Sequence, residues 1–333
     1  MNLVSEPLIG TDVERAAALL RKGKLVAIPT ETVYGLAANA MDSTAVAGIF
    51  EAKNRPAFDP LIVHTHSFDE FRRFAEAIPA DARRLAEALC PGPVTFILPK
   101  HSIIPDIVTA GLPTVGLRVP DHPVALDLLR SLGFPVAAPS ANPFGYVSPT
   151  TAQHVADQLG DRVAYILDGG PSRVGIESTI IDFSLETPRV LRLGGLSLES
   201  LEQMLGHELH VKLSSSRPAA PGMLIAHYAP AKPVRVGDLD ALLAEHAGER
   251  AGVLAFSSHR NAIDPSLQRV LSPAADLREA ATNLFGYLRE LDAMPVDVVL
   301  AEWLPDEGLG RAINDRLRRA AASTATDHKG EAR

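Results

Sequence analysis

The sequence predicts an α/β protein made of two successive units, and three features carry that expectation. Short apolar strands alternate with amphipathic helices over residues 1–205. The alternation resumes over 234–322, on a smaller scale. Between the two runs, residues 206–233 hold Ser214-Ser215-Ser216, Pro218, Pro221-Gly222 and Pro230, the composition of a linker. A chain of 333 residues is long enough for two domains. The polar tail, 323–333, is expected to be disordered.

The elements follow in order. Val13, Ala16, Ala17 and Leu20 recur at helical spacing behind a Thr11-Asp12 cap, so 11–22 reads as a helix. Residues 24–29 form a short apolar strand, and Thr30, Thr32 and Tyr34 could share one side of an extended exit from it. Helix 43–53 leads through a Pro-stiffened loop, Lys53-Asn54-Arg55-Pro56-Ala57-Phe58-Asp59-Pro60, to strand 61–64. Helices are expected at 68–77 and 80–89, and strands at 94–99 and 114–120. In the second of these strands the apolar Val115, Leu117 and Val119 leave Thr114, Gly116 and Arg118 on the other face. A helix at 123–132 precedes a strand that ends in Ser140 and Asn142, two apart on one face between Pro139 and Pro143. Then come a helix at 150–159, a strand at 165–168, paired strands near 178–182 and 189–194, and a helix at 197–205. The smaller unit reads strand 234–236, helix 238–246, strand 251–256, helix 276–292, strand 296–301 and helix 308–322.

Bulk properties exclude several function classes. With 46% hydrophobic and 22% charged residues, the composition is that of an ordinary soluble protein. A net charge of -8 argues against a surface that is basic throughout, while leaving a local basic groove open. The single cysteine, Cys90, rules out a disulfide framework and a cysteine zinc site. His64-x-His66 has no third His or Cys beside it, and His207-Glu208-Leu209-His210 misses the metalloprotease spacing by one residue. The N-terminus does not read as a secretory signal and no apolar run approaches the ~20 residues of a membrane span, so a cytoplasmic location with no membrane partner is expected.

No common phosphate loop, Rossmann glycine fingerprint, kinase signature or nucleophile elbow is present. Lys53, Arg55, Arg118 and Arg192 nevertheless all fall near hydroxyl-bearing strand ends of the larger unit. Four cations with Ser, Thr and Asn donors suit a polyanion such as a triphosphate. The residues alone also allow four unrelated surface charges, with Lys53 and Arg55 merely favouring a helix C-terminus and Arg118 guarding a sheet edge.

An ordered set of motifs goes further. Pro29-Thr30-Glu31-Thr32-Val33-Tyr34-Gly35-Leu36, Lys53-Asn54-Arg55-Pro56 and Pro60-Leu61-Ile62-Val63-His64 come first. Thr114-Val115-Gly116-Leu117-Arg118-Val119-Pro120, Ala138-Pro139-Ser140-Ala141-Asn142, Glu177-Ser178-Thr179-Ile180-Ile181-Asp182 and Leu191-Arg192-Leu193-Gly194 follow. Over residues 10–205 this set resembles the YrdC/TsaC family. Pro221-Gly222-Met223 and His227-Tyr228-Ala229-Pro230, ahead of a small α/β unit, resemble its two-domain form. The resemblance implies a twisted mixed sheet of YrdC type with a concave basic face, plus a Rossmann-like C-terminal domain. It divides the chain into a catalytic domain at 1–205, a linker or lid over the active site at 206–233, and a C-terminal domain at 234–322. The implied activity joins L-threonine, bicarbonate and ATP, with Mg2+, into L-threonylcarbamoyladenylate and pyrophosphate. A downstream tRNA threonylcarbamoyl transferase complex would then modify position 37 of tRNAs that read codons beginning with A, and a weak contact with tRNA itself would be compatible.

By the same resemblance Lys53 and Arg55 would be catalytic. Lys53, Arg55, Asp59, Thr114, Ser140, Asn142, Ser148, Arg192 and Tyr228 would hold ATP, and Thr32, His64, Arg118, Ala138 and Ser178 would hold threonine. No residue is expected to bind metal directly. Two positions depart from the family pattern: Asp59 stands where Asn is common, and Ala220 where Ser is common. A carboxylate at 59 has to pair with Lys53 or Arg55, or meet the metal. Two other classes compete: a double-stranded RNA-binding or ribosome-maturation module, and a carbamoyl-transfer domain of a hydrogenase-maturation protein. The acidic net charge and 5% aromatic content weigh against the first, and the missing cysteine segments against the second.

Overall fold

The computed structural model describes residues 8–214, 219–223, 227–261 and 263–327. Its strands are β1 (Ile9–Gly10), β2 (Val26–Ile28), β3 (Gly35–Asn39), β4 (Ile62–His64), β5 (Val94–Pro99), β6 (Thr114–Arg118), β7 (Val136–Ala137) and β8 (Tyr165–Leu167). They continue with β9 (Thr179–Asp182), β10 (Arg189–Arg192), β11 (His210–Val211), β12 (Val234–Gly237), β13 (Ala251–Ala255), β14 (Gln268–Val270) and β15 (Val298–Glu302). Helices are α1 (Val13–Arg21), α2 (Ser43–Lys53), α3 (Phe71–Phe74), α4 (Ala80–Leu89), α5 (Asp106–Thr109) and α6 (Pro123–Leu132). The remaining ones are α7 (Ala152–Leu159), α8 (Leu198–Leu205), α9 (Leu239–Glu245), α10 (Leu277–Ala293) and α11 (Gly310–Asp327).

The larger unit is one mixed sheet in the order β1-β8-β2-β3-β7-β4-β6-β5-β9-β10-β11. The smaller unit is a four-stranded sheet, β12-β15-β13-β14, in which every pairing is parallel. Both layers are those expected for an α/β chain of two units. One apolar core runs through both: Val147 and Tyr228 share a buried cluster with Leu284, Phe285 and Leu288 of α10. At ~25 cal/mol per Å2 of apolar surface removed from water, such a continuous core holds the smaller unit firmly on the larger.

Several expectations need correction. Residues 68–77 form a 3-10 turn at Phe68–Glu70 and a single turn of α3, because Ala75 leaves the helix to pair with Lys100. Thr30, Thr32 and Tyr34 do not line one side of an extended segment. Thr30 Oγ1 accepts from the Thr32 and Val33 amides at 3.2 Å each, which closes a hydroxyl-capped turn, and Tyr34 sends its hydroxyl elsewhere, to Gly170 O at 2.7 Å. β6 lies between β4 and β5, so Arg118 does not guard an edge. The last helix continues to Asp327, past the expected start of the tail at 323; residues 328–333 lie outside those described. Parts of the linker, 215–218 and 224–226, are likewise outside. No helix among the described residues is long and apolar enough to cross a membrane.

Candidate active site

A small cavity of about 40 Å3 opens where β4, β6 and β10 meet the linker. Its walls include Arg55, His64, Arg118, Ser140, Arg192 and Tyr228. The local chain explains each placement. Helix α2 ends at Asn54 in the left-handed region (φ 50°), and the Arg55 amide folds back to Phe50 O at 2.9 Å. That reversal turns Lys53 and Arg55 inward, and both are buried. Arg55 donates to the carbonyls of Asp59 (Nε, 3.1 Å) and Pro60 (Nη2, 2.9 Å), so the proline-stiffened loop fixes its fork. Parallel pairing of β4 with β6 sets His64 beside Arg118. A shift in register in β10 between Val190 and Arg192 brings Arg192 Nε to Ser178 O and its Nη2 to Ser178 Oγ, both at 3.0 Å. An isolated bridge between Gly35 and Ser140 carries Ser140 to the rim.

The electrostatics are those of an anion site. Burial lowers the Arg55 and Arg192 pKa values from the usual guanidinium range. Burial likewise pushes His64 down to about 3, so its imidazole is neutral. Its Nδ1 lies 3.3 Å from Ile62 O. Arg118 Nη2 donates to Thr32 Oγ1 at 2.8 Å and stands 2.9 Å from Glu31 Oε1. The Arg118 Nε is buried with no hydrogen-bond partner among the described residues. A buried donor of this kind calls for an acceptor, and a carboxylate is the acceptor that matches a guanidinium.

Not every expected residue reaches the cavity. Lys53, expected at the phosphates, does not line the cavity; its ammonium donates to the Ser140 and Asn142 carbonyls. Burial holds its pKa well below the usual lysine range. The requirement that Asp59 pair with a cation is met, since its Oδ2 lies 2.9 Å from Arg55 Nη2. Burial raises its pKa, an effect that Arg55, Lys53 and Arg192 only partly offset. Asn142 does not share a face with Ser140, because its amide donates to Pro143 O and Tyr146 O at 2.8 and 2.9 Å. Thr32, Ser178 and Ser148 sit one layer back, the last donating to Glu177 Oε1 at 2.6 Å. Ala138 lines the wall. Thr114 lines a neighbouring crevice that shares Ile62 and Pro221 with the cavity.

The linker forms the roof. Tyr228 is buried at a φ of 63°, a left-handed conformation that costs a tyrosine about 1–3 kcal/mol. It is held there by Phe285 of α10, stacked at 5.6 Å, and by His227, whose ring meets it edge-on at 4.1 Å. Gly222 (φ 83°) is needed below it, since a Cβ there would meet Tyr228 Oη at 2.8 Å. Glu177, His227 and Gly222 line the cavity although the sequence reading assigned them no role. All three sit inside motifs that carry the family resemblance. Among the described residues no cluster of three His, Cys, Asp or Glu could hold a metal, and His64 and His66 do not converge, His66 pairing with Glu70 at 2.9 Å.

Comparison with known proteins settles the family. Residues 18–194 match the Sua5/YciO/YrdC family, described as telomere recombination, and residues 196–322 match the threonylcarbamoyl-AMP synthase C-terminal domain. The chain belongs to this family. It is 43% identical to a Pyrococcus abyssi protein named threonylcarbamoyl-AMP synthase, over 92% of this chain and 93% of that one. A Bacillus subtilis protein of the same name is 42% identical over 93% and 92%. The fold superposes on a crystal structure of P. abyssi Sua5 complexed with L-threonine, with a TM-score of 0.87 and 42% identity, covering 93% of this chain and 94% of the other.

Proposed function

We propose that this chain is the nucleotidyltransferase that makes L-threonylcarbamoyladenylate from L-threonine, bicarbonate and ATP. The observation that carries the reading is the convergence of three buried guanidinium groups and a neutral imidazole on one cavity, in a chain of this family. The threonine amine attacks the bicarbonate carbon, water leaves, and a carbamate forms. A carbamate oxygen then attacks the α-phosphorus of ATP, the bond to the bridging oxygen breaks, and pyrophosphate departs. Arg118, with its unpartnered Nε, would take the threonine carboxylate. Neutral His64 beside it would leave the amine unprotonated company. Arg55 and Arg192 would face the phosphates, where positioning and charge neutralisation do most of the work in phosphoryl chemistry. Mg2+ would arrive with ATP on the phosphates, consistent with Asp59 and Glu177 each being taken up by an arginine.

The cavity is far below the ~300–1,000 Å3 of typical ligand pockets, so the roof has to open for substrate and close again. Closure would exclude water from a hydrolysable mixed anhydride. Its cations point inward and are buried, a poor surface for double-stranded RNA. The product would pass to the tRNA-modifying transferase. The test is pyrophosphate release from MgATP with L-threonine and bicarbonate each present or omitted. Release that needs both is expected; none under any combination, from folded protein, would refute the assignment.

A further inference from the structure

One wall of the cavity is acidic, in a site otherwise suited to anions. Glu177 stands there between two units of the fold. Ser148 donates to its Oε1 at 2.6 Å. From the other unit, Arg316 of α11 donates to its Oε2 through Nε at 3.1 Å and Nη2 at 3.0 Å. Arg316 has no exposed surface, and its Nη1 also donates to Leu193 O. The same guanidinium lies 5.3 Å from the centre of the Tyr228 ring. One side chain of the C-terminal unit therefore touches both the acidic wall and the roof.

Resting on the activity proposed above, we propose that Arg316 is a positioning residue of the active site. It fixes the Glu177 carboxylate at the cavity wall and holds Tyr228 over it. A carboxylate has about four lone-pair sites, and Arg316 and Ser148 occupy three of them. The Glu177 backbone amide adds a further hydrogen bond, so the carboxylate is fully engaged and would repel a phosphate. Stability alone does not call for such a pair, since buried ion pairs are commonly no better than apolar residues of similar volume. Removing one partner, in contrast, strands the other.

The groups around Glu177 make the test specific. Arg316 from α11, Arg192 from β10 and Ser148 from the loop before α7 face it, with Tyr228 and His227 from the roof. Burial would raise the Glu177 pKa, but Arg316, Arg192 and Ser148 together hold it below the usual range. Burial pushes Tyr228 up and His227 down to about 3, so neither titrates near neutrality. Without Arg316, Glu177 is the group that would take up a proton there.

The experiment compares wild type with Arg316→Met, Arg316→Lys and the double variant Glu177→Gln/Arg316→Met. It measures kcat and KM for ATP from pH 6 to 9, and hydrogen exchange at the Ala229 amide, which donates to Gly145 O at 2.9 Å when the roof is seated. Arg316→Met is expected to lower kcat/KM at least tenfold at pH 7, with a rate that climbs as pH rises, and to speed Ala229 exchange at least tenfold. Arg316→Lys should recover part of the rate and flatten the profile. The double variant should be slow and flat. A lowered rate with the wild-type pH profile would overturn the proposal and make the pair structural, as would unchanged exchange. A wild-type protein that releases no pyrophosphate would refute the activity itself, and Ala229 exchange would still decide whether Arg316 holds the roof.

Discussion

The floor and the roof of the cavity hold their charges differently. On the floor, cations are oriented mainly by main-chain carbonyls: Lys53 by Ser140 and Asn142, Arg55 by Asp59 and Pro60, Arg192 by Ser178 and Pro221. A carbonyl fixes a guanidinium without cancelling its charge, so four cations face only two carboxylates there, Asp59 and Glu31. At the roof, Arg316 is matched by Glu177 and Arg319 by Asp315, while Arg289 of α10 holds the Val147 and Ser148 carbonyls. The floor supplies field and the roof supplies position. Each can be broken separately.

The largest effect is expected on the floor. Arg55→Ala alone would leave Asp59 buried and unpaired, at about 3–5 kcal/mol of stability, so the cleaner change is Arg55→Gln with Asp59→Asn. Pyrophosphate release should fall about a thousandfold, roughly 4 kcal/mol of transition-state stabilisation, with little change in the unfolding midpoint. Turnover within tenfold of wild type would remove Arg55 from the chemistry.

Next comes the point where floor and roof touch. Gly222→Ala puts a Cβ 2.8 Å from Tyr228 Oη and 3.1 Å from Arg192 Cδ, at a φ of 83°. The cost should be about 1–3 kcal/mol, read as a lowered urea midpoint. An unchanged midpoint would mean the roof is not packed down on Arg192.

A smaller effect is expected further out. Tyr146 donates to Asp292 of α10, and Arg289 reaches across to the loop that carries Ser148. Tyr146→Phe should cost about 1 kcal/mol, seen chiefly as a several-fold rise in KM for ATP with kcat nearly kept. A fall in kcat at constant KM would place Tyr146 with the floor instead.

A pH slope tests whether both walls are equally dry. His64 on the floor and His227 in the roof are each pushed by burial to about 3, below the ~6.5 of an unfolded chain. The unfolded state therefore binds protons first. Stability is complete above the unfolded value and falls as pH drops from ~6.5 towards the folded one, by up to ~1.4 kcal/mol per pH unit for each imidazole. Urea unfolding at pH 7, 6 and 5 should show that slope, reduced in His64→Gln and again in His227→Gln. Equal slopes in all three proteins would mean that neither ring is buried neutral.

The floor was more legible in the sequence than the roof. Alternation in β6 separated Arg118 from the apolar face, and the prolines around Arg55 marked a stiff loop. What stayed hidden depended on partners distant in the chain. The two-residue β1 and three-residue β14 are too short to show a period. Thr30 and Thr32 read alike in an extended exit and in a hydroxyl-capped turn. Lys53 has the same residue type and spacing whether it faces a phosphate or two carbonyls. Arg316 sits among Asn314, Asp315 and Arg319, a run that reads as a solvated helix face yet is buried. No local signal announces that this face packs on the other unit.

The identity of the adenylate is the most direct test of the activity. Incubation with MgATP, L-threonine and 13C-bicarbonate, followed by mass spectrometry, should reveal a mixed anhydride of AMP that carries both threonine and the label. Threonyl-AMP without the label, or AMP alone from a folded and freshly assayed protein, would contradict it.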